Sequence, residues 1–270
     1  MISYESDRSI HRIQAVKASM TLTMKNFFAD PQWIIPSIIA PFIFTLVSLF
    51  LFRNVNGPVL LYAVLGGGMM GMWGTTVYGS GTSIMFDRWN GTMEATLSAP
   101  SPLIWIVMGR VIFNTLEGMV NAIFILFIGL MWFRVGVSIY EPLQFSIATI
   151  LTFISLSAVG LILSSVYVLT RKAGFLENGL EIPVYIATGT MFPIALLPFY
   201  VQGFSFALGP TWGIDAIRIS AIQGYLGFST GYVLDLIIMC LETAVYFFLS
   251  FILFTKVESR AKINGTLGEY

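Results

Sequence analysis

Residues 143–169 read LQFSIATILTFISLSAVGLILSSVYVL, twenty-seven positions without one Asp, Glu, Lys or Arg. A helix needs about 20 apolar residues to cross about 30 Å of hydrocarbon. A membrane-spanning strand would instead alternate polar and apolar positions over roughly ten residues. The run is continuous, so it reads as a transmembrane helix, and the rest of the chain repeats the signal. Hydrophobic residues make up 56% of the 270 positions and charged residues only 10%. A soluble domain averages about 45–50% apolar and about 25% charged, so a soluble globular protein and a disordered chain are both excluded.

Working outward from 143–169, further spans are expected at about 33–52, 58–83, 108–132, from about 182, and 232–254. The fold class is therefore all-α, a polytopic membrane protein with six transmembrane helices. The fifth run stays apolar from 182 to 214, too long for one crossing, and is broken by Pro183, Pro193, Pro198 and Pro210. Interior prolines remove a hydrogen bond and clash with the preceding turn. We expect a helix over 182–197, then two half-helices, 199–208 and 211–224, that form a re-entrant segment. Non-helical backbone at membrane depth must be shielded by protein or water.

The domain plan is a cytoplasmic N-terminus over 1–32, one transmembrane domain over 33–254, and a cytoplasmic tail over 255–270. Within residues 8–28, Ile10, Ile13, Val16, Met20, Met24 and Phe27 recur at helical spacing among Arg8, Arg12, Lys17 and Lys25. This predicts a basic amphipathic helix lying on the membrane surface, either an anchor or part of a docking surface. Eleven Lys and Arg fall on the side of the termini and three, Arg53, Arg134 and Arg218, on the other. The positive-inside rule then places both termini in the cytoplasm. No cleavable signal peptide is expected, since the first apolar run begins after about 30 residues and lacks a small-residue cleavage site.

Covalent chemistry has few candidates. No lysine stands in a G-x-x-x-x-G-K-[ST] loop, no H-E-x-x-H occurs, and His11 is the single histidine. No catalytic residue, metal site or cofactor is expected in this chain. Zero net charge argues against a nucleic-acid partner, and the lone Cys240 allows no internal disulfide. The Asn-Gly matches to a glycosylation signal at Asn90 and Asn264 read as turns.

The most informative connection runs from Asp87 to Pro100 and reads DRWNGTMEATLSAP. Thr92 reads as the N-cap of a short interfacial helix, with Glu94 in its first turn where the helix dipole favours it. This segment resembles the E-x-x-x-G-T-x-E-x-L-x-x-[ST]-P stretch of permease subunits of type-2 ATP-binding-cassette exporters, with Asp in place of the leading Glu. Met191 to Pro198 and Gly209-Pro-Thr-Trp-Gly-Ile-Asp215-Ala-Ile-Arg218 are similar to the same family's F-P, L-P and P-x-x-x-x-D-[AG]-x-R stretch. The resemblance implies that 87–100 is the coupling helix, with Asp87, Arg88, Gly91, Thr92, Glu94, Leu97 and Pro100 as its coupling residues. It also implies that Pro193, Pro198, Pro210, Asp215 and Arg218 shape the re-entrant segment. Implied partners are cytoplasmic ATPase subunits, which would bind ATP and Mg, and a second permease, identical or related. The expected location is the cell membrane of a prokaryote, in contact with lipid. The substrate is expected to be amphipathic or lipophilic (drug, peptide, lipid or lipid-linked glycan). The alternative is a secondary transporter or channel working without an ATPase.

Gly67, Gly71, Thr75, Gly79 and Ser83 recur every fourth residue. Small residues at this spacing let helices approach closely, either as plain packing or as a dimer or pore face. Arg110, Asn114, Glu117 and Asn121 share one face of the third span, and Glu242 lies at similar depth in the sixth. Buried charge is costly unless paired. These residues are therefore expected either as interhelical glue, with Arg110 or the asparagines satisfying Glu117, or as part of a transport path. Asp235 is expected to be solvated, and Asp215 and Arg218 to pair at i, i+3. Tyr62, Trp73, Tyr78, Tyr185 and Phe192 read either as ordinary packing or as the lining of a lipophilic cavity.

Overall fold

The computed structural model describes residues 2–51, 58–133, 139–170, 173–190 and 193–264. Arg53, Arg134, Arg171, Lys172 and Phe192 lie outside these residues, as do the side chains of Arg8 and Tyr78. Among the described residues the chain is all helix and turn, with no strand. In order these are α1 (Ile2–Ala29), α2 (Pro31–Leu51), α3 (Pro58–Trp89), α4 (Met93–Leu97) and α5 (Leu103–Phe133). Then follow α6 (Pro142–Leu169), α7 (Ala173–Ala187), a 3-10 turn (Ile194–Leu196), α8 (Phe199–Phe206), α9 (Gly209–Ala221) and α10 (Tyr232–Asn264).

By length and apolarity three of the described stretches can cross a membrane: Leu103–Gly129, Pro142–Val168 and Tyr232–Ser259. A shorter apolar stretch, Ser37–Val47, lies in α2. Several prolines stand where a missing N–H costs least: Pro142 and Pro210 open α6 and α9, and Pro198 caps α8.

Helix α3 is the central post. It packs against α2, α5, α6 and α7. Met69, Met72, Trp73 and Val77 are buried within the main apolar cluster, together with Leu156 of α6 and Ile214 of α9. A second cluster joins α4 to α5, α6 and α10 through Met93, Leu97, Val107, Leu161 and Phe254. The outer surface is apolar as well. Ile35, Ile39, Ile43 and Val47 of α2, and Val233, Ile237, Leu241 and Val245 of α10, are all exposed. Apolar side chains on the rim and small or polar ones between helices are what a lipid solvent selects, because lipid tails supply no hydrophobic drive for helices to associate.

Several boundaries differ from the sequence reading: α5 starts at Leu103, ahead of 108, and α10 runs on to Asn264, past 254. The helix expected as the second span continues to Trp89, so Asp87 and Arg88 belong to the last turn of α3 and not to a loop. The fifth helix is not 182–197: it starts at Ala173 and ends at Ala187, with Pro183 inside it. Packing of Val184, Tyr185 and Ala187, all buried, carries the helix through the proline. The half-helices fall at 199–206 and 209–221, close to their expected places.

Helix α1 packs along α5. Its Ser19 hydroxyl donates to the Ile106 carbonyl at 2.6 Å, Arg12 stacks over Trp105, and the Phe27 and Phe113 rings meet edge to face. Ile13, Leu22 and Phe28 remain exposed on its other side. The apolar positions read as one membrane-facing stripe are thus divided between α5 and the exterior.

Candidate functional site

The short helix α4 is fastened from within. Asp87 stands in the last turns of α3, and its carboxylate forms an ion pair with Arg110 of α5 at 2.7 Å. The same carboxylate accepts from the Thr92 and Thr96 hydroxyls, each at 3.3 Å. Arg110 also donates to the Ser83 carbonyl at 3.0 Å. Neither side chain of the pair is open to solvent: Arg110 is 8% exposed and Asp87 15%. Arg88, one residue on, turns to α6 and donates to the carbonyls of Val168 (2.5 Å) and Thr170 (2.8 Å). These are groups at a helix C-terminus, which lack intrahelical partners. Across the same end, the Leu103 N–H at the start of α5 donates to Glu258 of α10 at 3.2 Å.

Between α3 and α4 the chain reverses at Asn90–Gly91, where Gly91 adopts φ = 66°, a left-handed conformation that costs glycine little. Thr92 takes the cap position of α4 but makes no side-chain cap bond. Its hydroxyl reaches back to Asp87, which corrects the expected N-cap. Met93 and Leu97 are buried, while Glu94, Ala95 and Pro100 are exposed. Trp89, 69% exposed and stacked edge-on against Phe86, adds an aromatic to the same exposed surface. Sequence reading passed over Trp89 because it stood inside a stretch taken as loop.

The other end of α3 carries a second polar cluster. Tyr62 lies 25 residues before Asp87, or about 37 Å along a helix rising about 1.5 Å per residue. Arg218 of α9 is buried against Tyr62, its guanidinium carbon 3.5 Å from the ring centroid. Arg218 donates to the Gly189 carbonyl (2.7 Å) and the Thr190 carbonyl (3.0 Å), tying down the chain just past α7. Gly66 lets the Thr190 carbonyl lie against α3, since a Cβ there would collide with it.

Asp215, also on α9, accepts from the Tyr225 hydroxyl at 3.0 Å and from the Phe228 N–H at 2.8 Å. Burial, and after it the Asp215 carboxylate, pushes the Tyr225 phenol above its usual value, so it stays a donor. No ion pair joins Asp215 to Arg218, so the expected i, i+3 pair is replaced by separate partners for each. Asp235 is fully buried and bonded to the Thr230 hydroxyl, against the expectation that it is solvated. The loop between α9 and α10 folds over it.

The small-residue stripe faces α2 and α5 of the same chain. Gly67 lies against Thr45, Gly71 against Pro41 and Asn121, and Gly79 against Asn114, while Thr75 touches Gly118 and Ser83 receives Arg110. Arg110 does not reach Glu117, being spent on Asp87. Asn121 donates to the Ser37 carbonyl at 3.2 Å, and Glu117 lies by the Ser37 hydroxyl with Oε1 buried and unpartnered. Glu242 sits beside Gly209 and Trp212 in the first turn of α9. Pro193 and Pro198 stand ahead of the 3-10 turn and α8, both exposed, and Pro210 is buried at the start of α9. Of the aromatics, Trp73 and Tyr185 are buried in the core and Tyr62 lines a cavity.

The family model of the ABC-2 type transporter matches residues 14–222. The chain belongs to that family. No curated protein matches it. As an ABC-2 type membrane component it is the permease of an ABC transporter, and its partners are ATP-binding-cassette ATPases. The match takes in both ends of α3: the Asp87–Arg110 cluster with α4, and the Tyr62–Arg218 cluster with α9. It stops before Tyr225, Phe228 and Asp235, so this permease completes its second cluster with residues beyond the matched segment. Tyr225 and Phe228 carry no signal in the sequence, each a single residue in a Gly-rich connection, and Asp235 stands out as a charge but is expected in solvent.

Proposed function

We propose that this permease is the membrane half of an ATP-driven exporter, with six membrane spans and both termini in the cytoplasm. In this reading α4 is the coupling helix, and two permeases, identical or related, pair with two ATPase subunits that hold ATP and Mg. The observation that carries the proposal is the fastening of α4. Its buried side is tied to α3 and α5 through Asp87, while Trp89, Glu94 and Ala95 remain free for a partner. A push on that exposed face is delivered to α3, α5 and α6, because Asp87, Arg110 and Arg88 leave no slack between them. At the far end of α3, α8 and α9 form the re-entrant segment that would open toward the outside. The cargo is an amphipathic or lipophilic molecule that moves along the bundle and is not chemically changed.

The test is Glu94→Ala beside Thr92→Ala, read by transport and by co-purification of the ATPase. A charge-assisted contact seated in an ATPase cleft costs about 2–5 kcal/mol when one partner is truncated, whereas a dipole contact alone is worth about 0.3–1 kcal/mol. Glu94→Ala is expected to lose transport and ATPase binding while the permease still inserts. Normal transport by Glu94→Ala would remove α4 from the coupling route.

A further inference from the structure

Between the first turns of α3, the 3-10 turn, α9 and the α9–α10 loop lies a cavity of about 370 Å³. That is toward the lower end of the roughly 300–1,000 Å³ usual for small-ligand pockets. Its walls are mostly apolar, with Pro193, Ile194, Ile214 and Phe228 among them. Arg218 and Asp215 are the charged residues among those lining it, one of each sign. A ligand carrying a full charge would therefore meet one attractive and one repulsive wall.

The hydrogen-bonding capacity left over is one-sided. Asp215 already accepts two bonds, and Tyr225 spends its hydroxyl proton on Asp215. Arg218 spends one N–H of each terminal nitrogen on the two carbonyls, which leaves Nε buried and without a partner among the described residues. The Tyr62 hydroxyl is likewise buried and unpartnered. A buried donor left unmade costs free energy, and both of these belong to residues that line the cavity. They call for a ligand that supplies acceptors without charge.

We propose that this cavity binds the uncharged, hydroxyl-bearing head of an amphiphile, a sugar or polyol, with Tyr62 Oη and Arg218 Nε donating to its oxygens. The apolar walls hold the carbon face of the head and the start of its tail. The inference concerns the permease alone and does not depend on export or on the ATPase.

The experiment uses the full chain in phosphatidylcholine nanodiscs with octyl glucoside added below its micelle concentration. Hydrogen exchange is followed across residues 222–231. A ligand that binds only the closed form slows exchange by a factor of one plus the ratio of free ligand to Kd, about tenfold at about ten times the dissociation constant. Octyl glucoside should give this protection, and octyl phosphate and octyltrimethylammonium should not. Tyr62→Phe removes only a buried oxygen that has no partner among the described residues, so its thermal midpoint should stay the same or rise while glucoside affinity falls about three- to tenfold. Ala195→Trp, which crowds the cavity wall, should abolish protection. Equal protection by either charged amphiphile, no protection by octyl glucoside, or unchanged affinity in Tyr62→Phe would each overturn the assignment.

Discussion

Asp87 serves three donors at once, from α5 and from the turn leading into α4 and α4 itself. Removing either member of a buried ion pair strands the other, at a cost of about 3–5 kcal/mol. Asp87→Ala and Arg110→Ala are each expected to destabilise by that order, and the double variant by clearly less than the sum. The check is a double-mutant cycle on unfolding in detergent micelles, and strict additivity would mean that the two charges do not support each other. Arg218→Lys tests the opposite end. An ammonium cannot span two carbonyls and stack flat on a ring as a guanidinium does. Hydrogen bonds to charged groups are worth about 1.5–3 kcal/mol each, so a loss of that size is expected from the same measurement. The sequence singled out both arginines as functional, but it misassigned their partners. Spacing along one helix says which residues share a face, and it is silent on which neighbour that face meets.

At the level of elements, the close contact of α3 with α5 depends on glycines, and their importance varies from helix to helix. A Cβ on Gly118 would run into the Thr75 hydroxyl and the Met72 backbone, whereas one on Gly179 in α7 meets nothing within 4 Å. Gly118→Ala should destabilise by about 1–3 kcal/mol, the usual cost of overpacking. Gly179→Ala should stabilise by about 0.4–1 kcal/mol through the unfolded state. Thermal melts of the two variants check the contrast, and equal effects would deny that α3 and α5 are in their closest packing at that point. Helices were legible in the sequence wherever apolar length decided them, as for α5, α6 and α10. The half-helices were legible because Pro198 and Pro210 mark their starts. The beginning of α7 was not, since Ala173 to Glu181 is only weakly apolar and owes its helical state to α3 beside it.

On the scale of the whole molecule, the two polar clusters stand at opposite ends of one bundle, and they should therefore lie on opposite sides of the membrane. In a Cys240→Ser background, Leu226→Cys should react with an impermeant thiol reagent from outside, and Glu94→Cys only after the cytoplasmic face is opened. Labelling of both from one side would refute the topology. The overall class was legible from composition alone, since few charges and long apolar runs leave no soluble alternative. The second cluster was not, because Tyr62, Gly189, Arg218, Tyr225 and Asp235 are brought together by folding across 174 positions of sequence.

Helix α3 joins those ends without an interior proline, from Tyr62 to Arg88, and can therefore act as a lever. With an arm of about 39 Å, from about 1.5 Å per residue, a tilt of about 5° at the Arg88 end displaces the Tyr62 end by roughly 3 Å. Such a shift is as large as the hydrogen-bond lengths in the upper cluster, so the cavity cannot keep its shape while the lower end swings. Linkage makes the relation reciprocal. Whatever fills the cavity and resists the swing must alter, by the same factor, how tightly α4 is gripped from below.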